Sequence, residues 1–233
     1  MRSKTIASPL LSSVALVGLA LGLHPQDTAA LPTGTIRGRI VFQSSKGEAL
    51  KRAPRGIVTS DAVLYLVGDG LAPEGGAPDP GKALLDQVDI AFVPHVLPVI
   101  AGTTVEVRNS DSTTHNVHTY PHKNAAMNKT QAPTGMLKVI YDKPEVVHVG
   151  CDIHSQMSAY IVIVPNEHFT KSAKDGSFKL EGVPPGTYHL VAWHEKYGEV
   201  SQEVTVSPEG EGIAAVEVAL KAKPRGGRRR ARN

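Results

Sequence analysis

Residues 146–164 read VVHVGCDIHSQMSAYIVIV. Two runs rich in β-branched residues flank a short polar segment, and such runs suit strands on a pleated, packed surface. Alternation assigns the faces. Val147, Val149 and Cys151 share one side of the first strand, while His148 and Gly150 take the other. The apolar side is the buried one, so Cys151 points inward at the strand's end. Residues 151–157 then form the loop that joins two core strands.

Further strand-like runs recur outward from this pair, at 35–42, 62–67, 87–92, 104–109, 178–180, 188–193, 199–206 and 213–220, bounded by Gly, Pro, Asp and Asn. Nothing after the first thirty residues reads as a helix. Many short strands at such spacing predict an all-β sandwich or barrel. Residues 71–82 (LAPEGGAPDPGK) read as a linker.

The first thirty residues stand apart from the fold. A basic start (Met1-Arg2-Ser3-Lys4), an apolar run at 6–23 and the small residues Thr28-Ala29-Ala30 predict a secretory signal peptide at 1–30. The expected location is therefore periplasmic or extracellular. The formal charge of +3 belongs to the other end, because the stretch KAKPRGGRRRARN at 221–233 holds seven of the 25 Lys/Arg and none of the 22 Asp/Glu. Residues 222–233 read as a disordered Arg-rich tail able to contact an acidic surface. Without interleaved aromatics, and on an exported chain, no nucleic-acid partner is expected.

One cysteine rules out an intramolecular disulfide. A free thiol in an oxidising compartment is a liability unless buried or occupied, and a metal would occupy it. Cys151, His154 and Met157 supply a thiolate, an imidazole and a thioether at spacing 0, 3 and 6, which a loop can turn toward one point. Two imidazoles, a thiolate and a weak axial thioether suit an electron-transfer copper ion, whereas zinc favours carboxylates over a thioether. The second imidazole is sought in RNSDSTTHNVHTYPH at 108–122. Only one of His115 and His118 can face the core with Val117, and the alternation favours His115. His118, His122 and Met127 read as an exposed polar hairpin rather than a Cu(I)-type site. His95, His168, His189 and His194 have no partner at recognisable spacing and read as surface or edge residues.

Residues 87–164, with VDIAF, VIAGTTVEVRNSD, HNVH and CDIHSQM leading into AYIVIV, resemble a cupredoxin, most closely an amicyanin-like one. The resemblance implies a Greek-key β-sandwich holding one type 1 copper, with His115, Cys151, His154 and Met157 as metal ligands. It implies that Asn116 ties the two ligand loops together; Arg108, Asn109 and Asp111 are read as shaping the loop rather than doing chemistry. It also implies a redox partner such as a c-type cytochrome, with His154 as the electron port. Where the amicyanin loop carries prolines beside its histidine, this chain has Ile153 and Ser155, each restoring a backbone N–H. An extra N–H aimed at the thiolate would raise the reduction potential.

Residues 175–193, DGSFKLEGVPPGTYHLVAW, resemble a carboxypeptidase-regulatory-like, transthyretin-type β-sandwich. That family begins with a G-x-I-x-G-x-V strand, which GTIRGRIV at 34–41 fits. The expectation is a second, smaller β-sandwich from 33–70 and 166–221, with the cupredoxin at 83–165 inserted into it. Three functions stand open: an electron carrier, a copper-delivery module with exposed soft ligands at 118–136, and a structural protein that keeps only the fold. Catalysis is not expected, because no paired H-x-H motif and no Ser/His/Asp arrangement is present.

Overall fold

Among the described residues, strands before residue 70 pair with strands after residue 165, and the strands between pair only with one another. The computed structural model describes residues 33–50, 59–71, 81–207 and 213–222. The expected leader, most of the linker and the tail beyond 222 lie outside them. The strands are β1 (Gly34–Gln43), β2 (Val63–Val67), β3 (Lys82–Val88), β4 (Ala91–Val93), β5 (Val96–Ile100), β6 (Thr104–Asn109), β7 (His115–Tyr120) and β8 (Asn128–Gln131). They continue as β9 (Met136–Ile140), β10 (Glu145–Gly150), β11 (Ser158–Val164), β12 (Phe169–Lys171), β13 (Ser177–Val183), β14 (Gly186–His194), β15 (Gly198–Val206) and β16 (Ile213–Lys221). The described residues contain no α-helix, and the fold is all-β.

Four sheets result, ordered β13-β1-β16, β12-β2-β14-β15, β5-β11-β10-β7-β8 and β4-β3-β6-β9. The first two face each other across a core that includes Ile36, Phe42, Leu64, Phe178, Leu190 and Val218. The last two enclose Leu85, Phe92, Val107, Val117, Val149 and Ile161. A third cluster, Val63 and Trp193 against Val96, Val162 and Val164, joins the outer faces of β2 and β14 to those of β5 and β11. The layers therefore stack four deep. This stacking explains why β11 reads AYIVIV without alternation: Ala159, Ile161 and Ile163 face one core, and Val162 and Val164 the other. A strand covered on both faces loses its polar side.

Two local sequences find structural reasons here. Gly38 lies between Phe178 of β13 and Val216 of β16 in the β1 register. A Cβ there would collide with the Val216 carbonyl oxygen and stand 2.5 Å from the Phe178 ring. The Pro-Pro-Gly turn is closed by Tyr188, whose hydroxyl donates to the Pro184 carbonyl at 3.0 Å.

Three expectations change. The run 87–92 is not one strand but a hairpin, in which Val88 pairs with Ala91 around Asp89 and Ile90. His168 and His194 are buried, not superficial; His194 packs edge-on against Phe42 and Tyr197, and its Nδ1 accepts the Lys196 N–H at 3.1 Å. His95 does have partners: its Nδ1 donates to the Ser158 carbonyl at 2.9 Å and its Nε2 meets Glu195 at 3.1 Å, bridging the two sandwiches.

Gly38→Ala forces a methyl against backbone on one side and a core ring on the other. The expected loss is about 1–3 kcal/mol, the usual range for overpacking a tight core. Urea unfolding should show a lower midpoint with an unchanged slope.

Candidate metal centre

The site is assembled by strand ends. β10 and β11 pair with Gly150 opposite Ser158, so both ends of the intervening loop are fixed by the sheet. Cys151 follows Gly150 and continues the inward series of Val147 and Val149. The loop then turns back on itself, the Met157 N–H donating to the His154 carbonyl at 3.0 Å. His115 opens β7, beside β10. Val117 shares its inward side and is fully buried. His118 takes the opposite side, as the alternation predicts, and pairs there with Asp152 at 3.0 Å and stacks on Tyr120 at 4.2 Å.

His115, Cys151 and His154 bring one donor atom each within 4.8 Å of one another. The two Nδ1 atoms are 3.1 Å apart, and His154 Nδ1 lies 4.0 Å from Cys151 Sγ. Metal–nitrogen and metal–sulfur bonds of about 2.0–2.3 Å place donors sharing one ion about 3–4 Å apart, and this set fits that spacing. A thiolate with two imidazoles suits a soft or borderline ion. His115 is wholly buried, and Cys151 nearly so. His154 is half-buried beside Ile153, which is 52% exposed. Met157 is buried in the same apolar cluster as Cys151.

Hydrogen bonds fix these groups before any ion arrives. The Cys151 sulfur accepts the N–H of Asn116 at 3.3 Å and that of His154 at 3.4 Å. Those two amides meet the sulfur; among the described residues Ile153 and Ser155 send it no N–H, so the expectation of an additional donor from the missing prolines is not met. The Asn116 side chain accepts the Asp152 N–H at 3.2 Å and donates to Asn128 Oδ1 at 2.7 Å. It thereby joins β7, the loop and β8.

Asp111 does more than shape its loop. Its Oδ2 lies 2.7 Å from His115 Nε2, which assigns the proton to Nε2 and leaves Nδ1 a lone pair facing His154. Burial works to raise the Asp111 carboxyl, but the Ile90 and Asp89 amides and His115 hold it below the usual carboxylate range. A carboxylate behind a histidine in this way orients the ring and raises its basicity. Asn109 keeps the loop in place, donating to the Thr113 carbonyl at 2.9 Å and accepting the Asp111 N–H at 3.0 Å. A D-x-x-x-H spacing was the one signal of the Asp111 contact, and it is too common to single out.

No protein-family model and no curated protein matches the sequence. Similar solved structures include a novel purple cupredoxin from Nitrosopumilus maritimus, 17% identical over 35% of this chain and 99% of the other, with a TM-score of 0.31. A Cu-containing nitrite reductase from Thermus scotoductus SA-01 is 21% identical over 41% of this chain and 25% of its own length, with a TM-score of 0.36. A reduced amicyanin variant is 17% identical over 43% of this chain and 98% of the other, with a TM-score of 0.33.

Asn116→Ala leaves the Asp152 N–H and the Asn128 amide without their partner. The expected cost is about 1 kcal/mol, the net worth of a hydrogen bond or two, because Asp152 and Asn128 are exposed and water can replace the lost partner. A fall of that size in urea-unfolding free energy of the metal-free protein checks it.

Proposed function

We propose that this chain is an exported type 1 copper protein of the cupredoxin kind that carries single electrons between partners outside the cytoplasm. The convergence of His115 Nδ1, His154 Nδ1 and Cys151 Sγ carries this reading. His115, Cys151 and His154 would hold the ion, and Met157, buried in the same cluster as Cys151, would add a weaker thioether contact. Copper bound there supplies a Cu(II)/Cu(I) couple. The chain's part is to keep its donors still. Asp111 holds His115, Asn116 holds the loop, and two amides hold the sulfur. Donors that do not move when the charge changes offer little reorganisation against electron transfer.

The buried Cys151 and His115 leave His154, beside exposed Ile153, as the group nearest a partner such as a c-type cytochrome. The pairing of β1 with β13 and β16, and of β2 with β12 and β14, supports reading 83–165 as a cupredoxin inserted into a carboxypeptidase-regulatory-like sandwich, here a scaffold. We take the Arg-rich tail as a contact for acidic surfaces. Copper delivery would want mobile, exposed soft ligands, yet His118 is engaged by Asp152 and Met127 packs on the core.

The test is the visible spectrum of the purified protein after Cu(II) addition, beside Cys151→Ser. An intense thiolate-to-copper band in the first alone, bleached by a reductant and restored by an oxidant, is the expected result. A protein that retains no copper, or a band that survives in Cys151→Ser, would end this reading.

A further inference from the structure

The hairpin between β3 and β4 turns on two residues, Asp89 and Ile90, with φ of +53° and +56°. Positive φ at both central positions is the type I′ pattern, which favours Asn-Gly or Asp-Gly. A β-branched residue there is an outlier. The Ile90 side chain is 40% exposed, so its burial offers little in return. Such backbone persists where neighbours over-determine it, and it gathers at functional sites.

What holds the turn is Asp111. The Asp89 N–H donates to Oδ1 at 2.7 Å and the Ile90 N–H to Oδ2 at 3.0 Å. The same Oδ2 faces His115 Nε2 at 2.7 Å. One oxygen thus links a strained turn to a buried imidazole. With both oxygens engaged by amides, the carboxylate cannot rotate away from the ring. The loop beneath is also pinned to β3, the Ser110 N–H donating to the Gln87 carbonyl at 3.0 Å.

We propose that the Asp89-Ile90 turn is a positioning element for the metal centre: its two amides aim the Asp111 carboxylate, and the carboxylate sets the tautomer and plane of His115. The inference rests on His115 being a ligand. Asp89 and Ile90 act as positioning residues through their backbone, not their side chains.

The full-length protein tests this with two readouts, the His115 Nε2–H resonance in metal-free protein and copper affinity by chelator competition. A Gly inserted between Asp89 and Ile90 should shift or abolish the resonance and weaken copper about 10–100-fold, as loss of an outer ligand contact does. In an Asp111→Asn background the insertion should add nothing, because the two act as one unit. Ile90→Gly keeps the amide and suits the backbone, so it should leave both readouts unchanged and raise Tm. A fall in Tm with resonance and affinity at wild-type values overturns the proposal, as does an insertion effect of equal size in Asp111→Asn. If the insertion variant does not fold, hydrogen exchange at the Asp89 and Ile90 amides decides: it should quicken at least tenfold in Asp111→Asn, and unchanged exchange overturns the latch. A wild-type chain that takes up no copper removes the ligand reading instead, and the metal-free resonance still decides the latch.

Discussion

The pairing of Gly150 with Ser158 is the constraint on which the centre depends. It pins both ends of the seven-residue loop 151–157 to neighbouring core strands, and so sends Cys151 and Met157 into the same cluster. Side chains alternate with period two, so a slip of one residue in either strand would turn that strand's apolar set to the wrong face. The register is therefore specified by hydrophobic burial on both sides of β11, and the candidate metal donors inherit a position that apolar packing has already determined. Polar contacts then make the finer adjustment: two amides at the sulfur, one carboxylate at His115 and the Asn116 bridge.

The shared layer matters in the same way. The sheet that carries His115 and Cys151 has its inner face in one core, and at β5 and β11 its outer face is covered by β2 and β14. Trp193 and Val63 thus pack against Val162 and Val164 of β11, the strand that follows the loop 151–157. The His95–Glu195 contact lies at the same junction and reaches the backbone of Ser158, the residue that closes the ligand loop.

Much of this was legible in the residues. The alternation of VVHVGC placed Cys151 inward, and that of HNVH chose His115 over His118; both agree with the observed burial. The paired G-x-I-x-G and D-G-x-F patterns come together as β1 and β13. What stayed hidden depended on partners far along the chain. Asp89-Ile90 carries no turn signal, because Gly is absent where the backbone goes left-handed, and the Asp111 carboxylate that takes both turn amides lies some twenty residues on. His194 looked superficial because a period-two pattern says nothing about Phe42 of the facing sheet, whose ring packs against it. Short edge strands such as β8 (NKTQ) and β12 (FTK) carry too few β-branched residues to stand out.

The route of the chain also orders its assembly in time. β1 runs alongside β16, with Thr35 beside Ile213 and Gln43 beside Lys221, so the first strand made waits for the last. The strands between 82 and 164 pair only among themselves. Contacts distant in sequence form late because loop closure must come first. During synthesis the inner sandwich can close while its host is still half an unpaired sheet. The pocket lined by His115, Cys151 and His154 can then close before the scaffold around it, while β1 waits with an unpaired edge of the kind that invites aggregation.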